Sequence, residues 1–257
     1  MKSKSFRQRI HTLFPQMYQR LSRVKSHLMI FQNRYKARRL NQIIYTRQED
    51  LIAAHFAHWV KDFQKTMPGF QVAFDCLKSE PARIIETGTS AWGIDSTRLL
   101  DAYIRNFGGE FWTIDIRKEP SNRLKGTLTQ ETHCIIGDSV LEIEKLDKSG
   151  LSPVDLIYLD SYDLDWADPY PSALHGLKEW RAIRNLVGPG TLVLIDDTPR
   201  DLANIPKAGQ DLRAKAEVSL RKFGYLPGKG ALILKEVQSR NDVEVIYHEY
   251  NLLLRFK

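Results

Sequence analysis

The sequence predicts an α/β fold: a mostly parallel sheet covered on both faces by helices, with an antiparallel last strand and an N-terminal helical extension. Two observations predict it. From residue 82 onward, short apolar runs alternate with segments of helical period. Turn signals such as Pro120, Gly188-Pro189-Gly190 and Gly224 separate them.

The elements follow in order. In residues 1–46, Phe6, Ile10, Leu13, Phe14, Met17, Leu21, Val24 and Leu28 recur at helical spacing, and Pro15 bends or splits the pattern. The basic cluster Arg34-Tyr35-Lys36-Ala37-Arg38-Arg39 follows. Residues 47–80 read as one helix with Leu51, Ile52, Phe56, Trp59, Val60 and Phe63 on its apolar face, broken at Pro68-Gly69. Five strands are expected at Ala82–Glu86, Phe111–Ile116, His133–Gly137, Val154–Leu159 and Thr191–Ile195. Helices are expected at Asp95–Phe107, Val140–Leu146, Ser172–Val187 and Ala208–Phe223. Ala231–Lys235 and a segment within Val243–Phe256 supply two last strands, their short link permitting an antiparallel pair. Residues 1–46 are thus an extension and 47–257 the enzyme-like domain.

The bulk numbers bound the class. The chain has 257 residues, 42% of them apolar, enough for one large domain with a sizeable core. No apolar run approaches the roughly 18–20 residues of a membrane span, and the basic N-terminus lacks the apolar core of a secretion signal. A cytoplasmic location, with peripheral membrane contact as an option, is expected. Cys76 and Cys134 read as reduced thiols, Cys134 in a buried strand, and no Cys/His cluster has zinc spacing. The net charge of +7 is uneven: residues 1–50 hold 12 of the 38 Lys and Arg residues against two acids, Glu49 and Asp50.

In a parallel sheet, ligands bind beyond the carboxyl ends of the strands, so the residues at those ends carry the chemistry. After the first strand comes Glu86-Thr87-Gly88-Thr89-Ser90-Ala91-Trp92-Gly93. Small residues there let backbone approach a ligand closely. Glu86 stands where a dinucleotide fingerprint needs its first glycine, and an acid suits a cationic or amino-acid-bearing ligand better than a pyrophosphate. Asp115 ends the second strand, placed to accept hydrogen bonds from ribose hydroxyls. Asp138, after the third, would meet an adenine amino group, cap the next helix, or do both. Asp160 ends the fourth strand, and Asp196 and Asp197 the fifth. Three converging carboxylates repel unless a cation or proton intervenes, and oxygen donors favour Mg²⁺ or a similar hard cation. The alternative is that Asp197 caps the next segment and one acid acts alone.

These residues, in this order, resemble the successive motifs of class I S-adenosylmethionine (SAM)-dependent methyltransferases. More narrowly, they resemble the group of macrolide-sugar O-methyltransferases and related enzymes of the methyltransferase 24 family. The resemblance covers roughly residues 80–235. It implies a Rossmann-like sheet in which Glu86, Gly88, Thr89, Ser90 and Gly93 hold the amino-acid part of SAM, Asp115 the ribose and Asp138 the adenine. Asp160, Asp196 and Asp197 match the divalent-cation positions of the metal-dependent members. The sequence departs from the pattern at Gly88-Thr89-Ser90, which lacks a second glycine, and at Ser161-Tyr162-Asp163 after Asp160.

The implied reaction is methyl transfer to a small or saccharide-like hydroxyl, with Asp160 and His175 as catalytic candidates. His175, in the first turn of the helix expected from Ser172, would be a neutral general base with a pKa depressed by the helix N-terminus, or an ordinary solvated or hydrogen-bonded helix residue. The rivals are another reaction on the same fold, hydroxylase-like or aminopropyl transfer, and a SAM-binding module without catalysis. Asp168-Pro169-Tyr170-Pro171 looks like a DNA amino-methyltransferase motif, but stands eight residues past the strand end at Asp160. It reads as a proline turn before a helix, and nucleic acid is disfavoured as acceptor. The extension reads as a solvated arm, as a basic helix at an anionic membrane surface, or as a binder of an acidic partner or nucleic acid. The oligomeric state stays open.

Overall fold

The computed structural model describes residues 32, 35–60, 64–90, 93–151, 153–205 and 210–257. The amphipathic pattern over residues 6–28 therefore lies outside the described residues, as do Ala91 and Trp92 of the loop after the first strand. Residues 45–122 and 128–257 form one unit; residues 1–44 with 123–127 form a second. Residues 35–40 of the second are helical.

Within the larger unit, β1 (Ala82–Thr87), β2 (Gly109–Asp115), β3 (Thr132–Ile136), β4 (Leu156–Leu159), β5 (Leu192–Ile195), β6 (Val243–His248) and β7 (Leu252–Phe256) make one sheet. Its seven strands run in the order β3-β2-β1-β4-β5-β7-β6. β1 to β5 pair in parallel, and β7 is antiparallel to both β5 and β6. The strand order reverses between β1 and β4, which makes the crevice at their carboxyl ends the place for a ligand. This is the α/β sheet, mostly parallel with an antiparallel end, that the sequence predicts.

Alternation along the strands builds two cores. Ile84, Phe111, Leu156 and Tyr158 face one side, where they meet Phe56 of α1 (Gln48–His58), Phe70 and Phe74 of α2 (Met67–Leu77) and Leu99 and Tyr103 of α3 (Ser96–Phe107). Ile85, Ile114, Ile157 and Val193 face the other. There they meet Ile143 of α5 (Ser139–Lys148), Trp180 of α6 (Tyr170–Ala182) and Ile233 of α8 (Ala231–Val237). Each large apolar side chain so enclosed contributes about 1.5–3 kcal/mol. Two further helices are α4 (Lys118–Leu124) and α7 (Gln210–Phe223).

Several sequence expectations change. Residues 47–80 are two helices, α1 and α2, with a 3-10 turn at Gln64–Thr66 between them. Pro68 and Gly69 lie in the first turn of α2 rather than breaking a helix; proline is tolerated there because its missing N–H would have no intrahelical acceptor. Pro120 likewise sits in the first turn of α4, a helix the periodicity does not show. Ala231–Lys235 is helical, not a strand. Its short apolar run fits either period, and Ile233 and Val237, four residues apart, are the pair that enters the core. Both last strands come instead from Val243–Phe256. Cys134 is exposed, since β3 is an edge strand with an open face, and both cysteines are free. No helix among the described residues is long and apolar enough to cross a membrane.

Candidate active site

A cavity of about 490 Å³ opens at the reversal point of the sheet, within the usual range for a small-molecule site. Gly88 lines it from the end of β1, and Asp115, Ile116 and Arg117 from the end of β2. Asp138 and Ser139 follow β3, Ser161 to Asp163 follow β4, and His175 reaches in from α6. Gly88 has φ +90°, and a Cβ there would stand 2.4 Å from the Asp160 carbonyl. Only glycine permits this approach of the first loop to the fourth strand.

Asp115 is 4% exposed, and its carboxylate is gripped by Arg117, through Nε at 3.0 Å and Nη2 at 2.9 Å. The Arg117 amide donates to the same carboxylate at 2.7 Å. Asp138 is the N-cap of α5, as one of its two readings expects, accepting from the Leu141 amide at 3.2 Å, and it also lines the cavity.

Glu86, Thr89, Ser90 and Gly93 are not on the cavity wall. Glu86 is fully buried and accepts from Ser96 Oγ and Thr97 Oγ1 at 2.5 Å and Thr113 Oγ1 at 2.6 Å. Burial raises its pKa to about 8, against the pull of those three hydroxyls. Thr89, also buried, exchanges a hydrogen bond with Thr113 at 2.8 Å, and the Ser90 amide donates to Thr97 Oγ1 at 2.6 Å. Ser90 and Gly93 both have positive φ, 52° and 99°. These residues tie the loop to β2 and α3 and set the position of Gly88 from behind.

His175 is a correction. α6 begins at Tyr170, so His175 lies in the second turn, away from the free amides. Its pKa is raised, not depressed, chiefly by its hydrogen bond to Glu179 one turn on, with burial opposing. Nε2 also stands 3.0 Å from Ser139 Oγ, and Tyr162 packs on the ring. Ser161 Oγ donates to the same Glu179 at 2.7 Å.

Asp160, Asp196 and Asp197 converge as expected, with carboxylate oxygens within 4.8 Å of one another, the trio of this kind among the described residues. Their centre holds a side chain the sequence reading does not single out. Lys229 is buried and forms an ion pair with Asp160 and another with Asp197 at 3.4 Å. Burial would lower its pKa, but the carboxylates of Asp160, Asp197 and Asp196 outweigh that and raise it. Asp196 is pushed well up by burial and by the other two acids, and accepts from Asn251 Nδ2 at 2.6 Å. Tyr250 donates to Asp197 and Tyr158 to Asp160. A divalent cation here would face a buried ammonium on the same carboxylates. The residues present therefore do not fit a resident metal, and Asp160 is an enclosed ion-pair partner. Arg117 was findable as the basic residue two places after Asp115. Lys229 stands within Pro227-Gly228-Lys229-Gly230, a turn-like run ahead of α8 that carries no signal of a site.

No family model matches the sequence, and no curated protein matches it. Among solved structures, it is similar to a methyltransferase of Podospora anserina bound to S-adenosylhomocysteine, at 14% identity and TM-score 0.50, covering 83% of this chain and 89% of that one. An O-methyltransferase from Bacillus cereus in complex with S-adenosylhomocysteine is 16% identical over 84% of this chain and 93% of its own, at TM-score 0.49. The likeness to the Podospora chain is one of fold.

Proposed function

We propose that this chain binds SAM in the cavity at the reversal point and transfers its methyl group to the hydroxyl of a small or saccharide-like acceptor. One observation carries the reading: the 490 Å³ cavity has Asp115 and Asp138 on its wall, at the ends of neighbouring strands, with a glycine at the end of β1. When bound, SAM supplies a methyl carbon activated by a sulfonium. Gly88 lets a ligand lie against the backbone. Asp115 would hold the ribose hydroxyls, with Arg117 sharing its oxygens. Asp138 would hold the adenine amino group while capping its helix. In such a transfer the acceptor oxygen would bond to the methyl carbon as the methyl–sulfur bond breaks and S-adenosylhomocysteine leaves with the electron pair, and the oxygen would give up its proton. His175, on the cavity wall and held by Glu179, is the base we assign to take it.

Calorimetry with S-adenosylhomocysteine tests the reading. We expect binding, weakened by about 1–3 kcal/mol in Asp115→Ala through lost hydrogen bonds. Tight binding of NAD without any response to S-adenosylhomocysteine would overturn it. Labelled SAM offered with a cell extract then separates transfer from binding alone.

A further inference from the structure

We infer that Lys229 is the resident cation of the Asp160, Asp196 and Asp197 cluster, a positioning residue whose ammonium takes the place of a divalent metal. The inference deepens the reading above, because it concerns the strand ends beside the proposed SAM cavity.

The geometry is of a side chain built into place. Its backbone is stitched over the end of β5: the Lys229 amide donates to the Asp197 carbonyl at 3.2 Å, and the Gly230 amide to Thr198 Oγ1 at 2.9 Å. The Lys229 carbonyl packs against α6 at Gly176, where a Cβ would come within 2.4 Å of it. The ammonium, with its side chain 6% exposed, meets Asp160 and Asp197 together and lies 3.5 Å from the Asp160 carbonyl. That carbonyl is the atom against which Gly88 closes the ligand loop. Lys229 thus joins the ends of β4 and β5 and steadies the wall that Gly88 rests on. Carboxylates buried this close together are relieved by a cation or a proton, and the chain provides a cation covalently. A metal would have to displace a lysine whose neighbours in sequence are both glycines packed close, Gly228 against the Asp197 carbonyl and Gly230 against the Thr198 side chain.

The test is Mn²⁺ binding to the full chain at pH 8, followed by electron paramagnetic resonance, with S-adenosylhomocysteine binding measured on the same samples. For the wild-type chain we expect no stoichiometric Mn²⁺ and no change in S-adenosylhomocysteine affinity on chelation. Lys229→Met uncovers the Asp160 and Asp197 carboxylates beside Asp196 and should take up one Mn²⁺ per chain, with a rise in thermal midpoint on adding the ion. If Lys229→Met folds only when Mn²⁺ is present, that dependence supports the inference equally. Wild-type binding of one Mn²⁺ that Asp196→Asn abolishes would overturn it. So would a folded Lys229→Met chain that ignores the ion. If Lys229→Met does not fold with or without Mn²⁺, the wild-type measurement decides alone. Absent S-adenosylhomocysteine binding with the Mn²⁺ results as expected would sink the methyltransferase reading and leave this one standing.

Discussion

Glu86 shows how burial changes what a residue can do. An acid at that position was legible in the sequence; that three hydroxyls from α3 and β2 would enclose it was not, because Ser96, Thr97 and Thr113 come together only in the fold. With its folded pKa at about 8 against an ordinary 4.5, the folded chain keeps a proton that the unfolded chain releases. Stability should therefore fall as pH rises from about 4.5 to 8 and level off above. Glu86→Gln removes the titration and keeps the shape. Thermal melts at pH 5 and pH 9 should show the variant gaining on the wild type as pH rises; a pH-independent difference would mean that Glu86 is ionised when folded. His175 gives the second test at this scale. Its pKa lies above 6.5 because Glu179 accepts its hydrogen bond, so a rate that needs the neutral ring should climb only above that value. Glu179→Gln should move the midpoint of the pH–rate profile down, and His175→Gln should lower the rate by about 10²–10⁴-fold. A profile unchanged in Glu179→Gln would take His175 out of the base role.

The parallel strands were legible because each is a short apolar run with a polar or small residue at its end, and β4 and β5 are buried along their whole length. Their ends carry Asp160 and Asp196, so the site acids could be placed without coordinates. The region from 228 to 237 was not legible. A run of Ala, Leu, Ile and Leu has no period to read over so short a span. The decision between helix and strand was made by Val243–His248, which fills the sheet edge instead. Reading that segment as a strand also hid Lys229, since a helix start there turns the preceding lysine toward β5. Packing of α8 against α6 can be measured. Ile233 is fully buried, and Ile233→Ala should cost about 2–5 kcal/mol in denaturant melts. Gly176→Ala should cost about 1–3 kcal/mol, because the new methyl meets the Lys229 carbonyl, a backbone atom that cannot rotate away. A neutral Gly176→Ala would show that the two elements can move apart.

Charge divides the whole molecule more sharply than any single residue does. Residues 1–50 hold 12 basic residues and two acids, and the rest of the chain is close to neutral. For residues 1–46 we propose contact with an anionic membrane surface, each basic residue near it contributing about 1 kcal/mol at most under salt screening. Removing residues 1–46 should leave S-adenosylhomocysteine binding intact and reduce sedimentation with anionic vesicles at low salt. Equal sedimentation of the two chains would remove the membrane role, and a shortened chain that fails to fold would assign the segment to structure. The sheet order bears on synthesis as well. β7 follows β6 in the chain yet lies between β6 and β5. On the ribosome, the apolar edge of β5 thus stays unpaired until residues 252–256 emerge, roughly sixty residues later, or about 3–12 s at ordinary elongation rates. In that interval the nascent chain carries an open template of Leu192–Ile195, for its own later strand or for a neighbour's. Codon choice and chaperone access across residues 196–251 would then set how long that edge stays open.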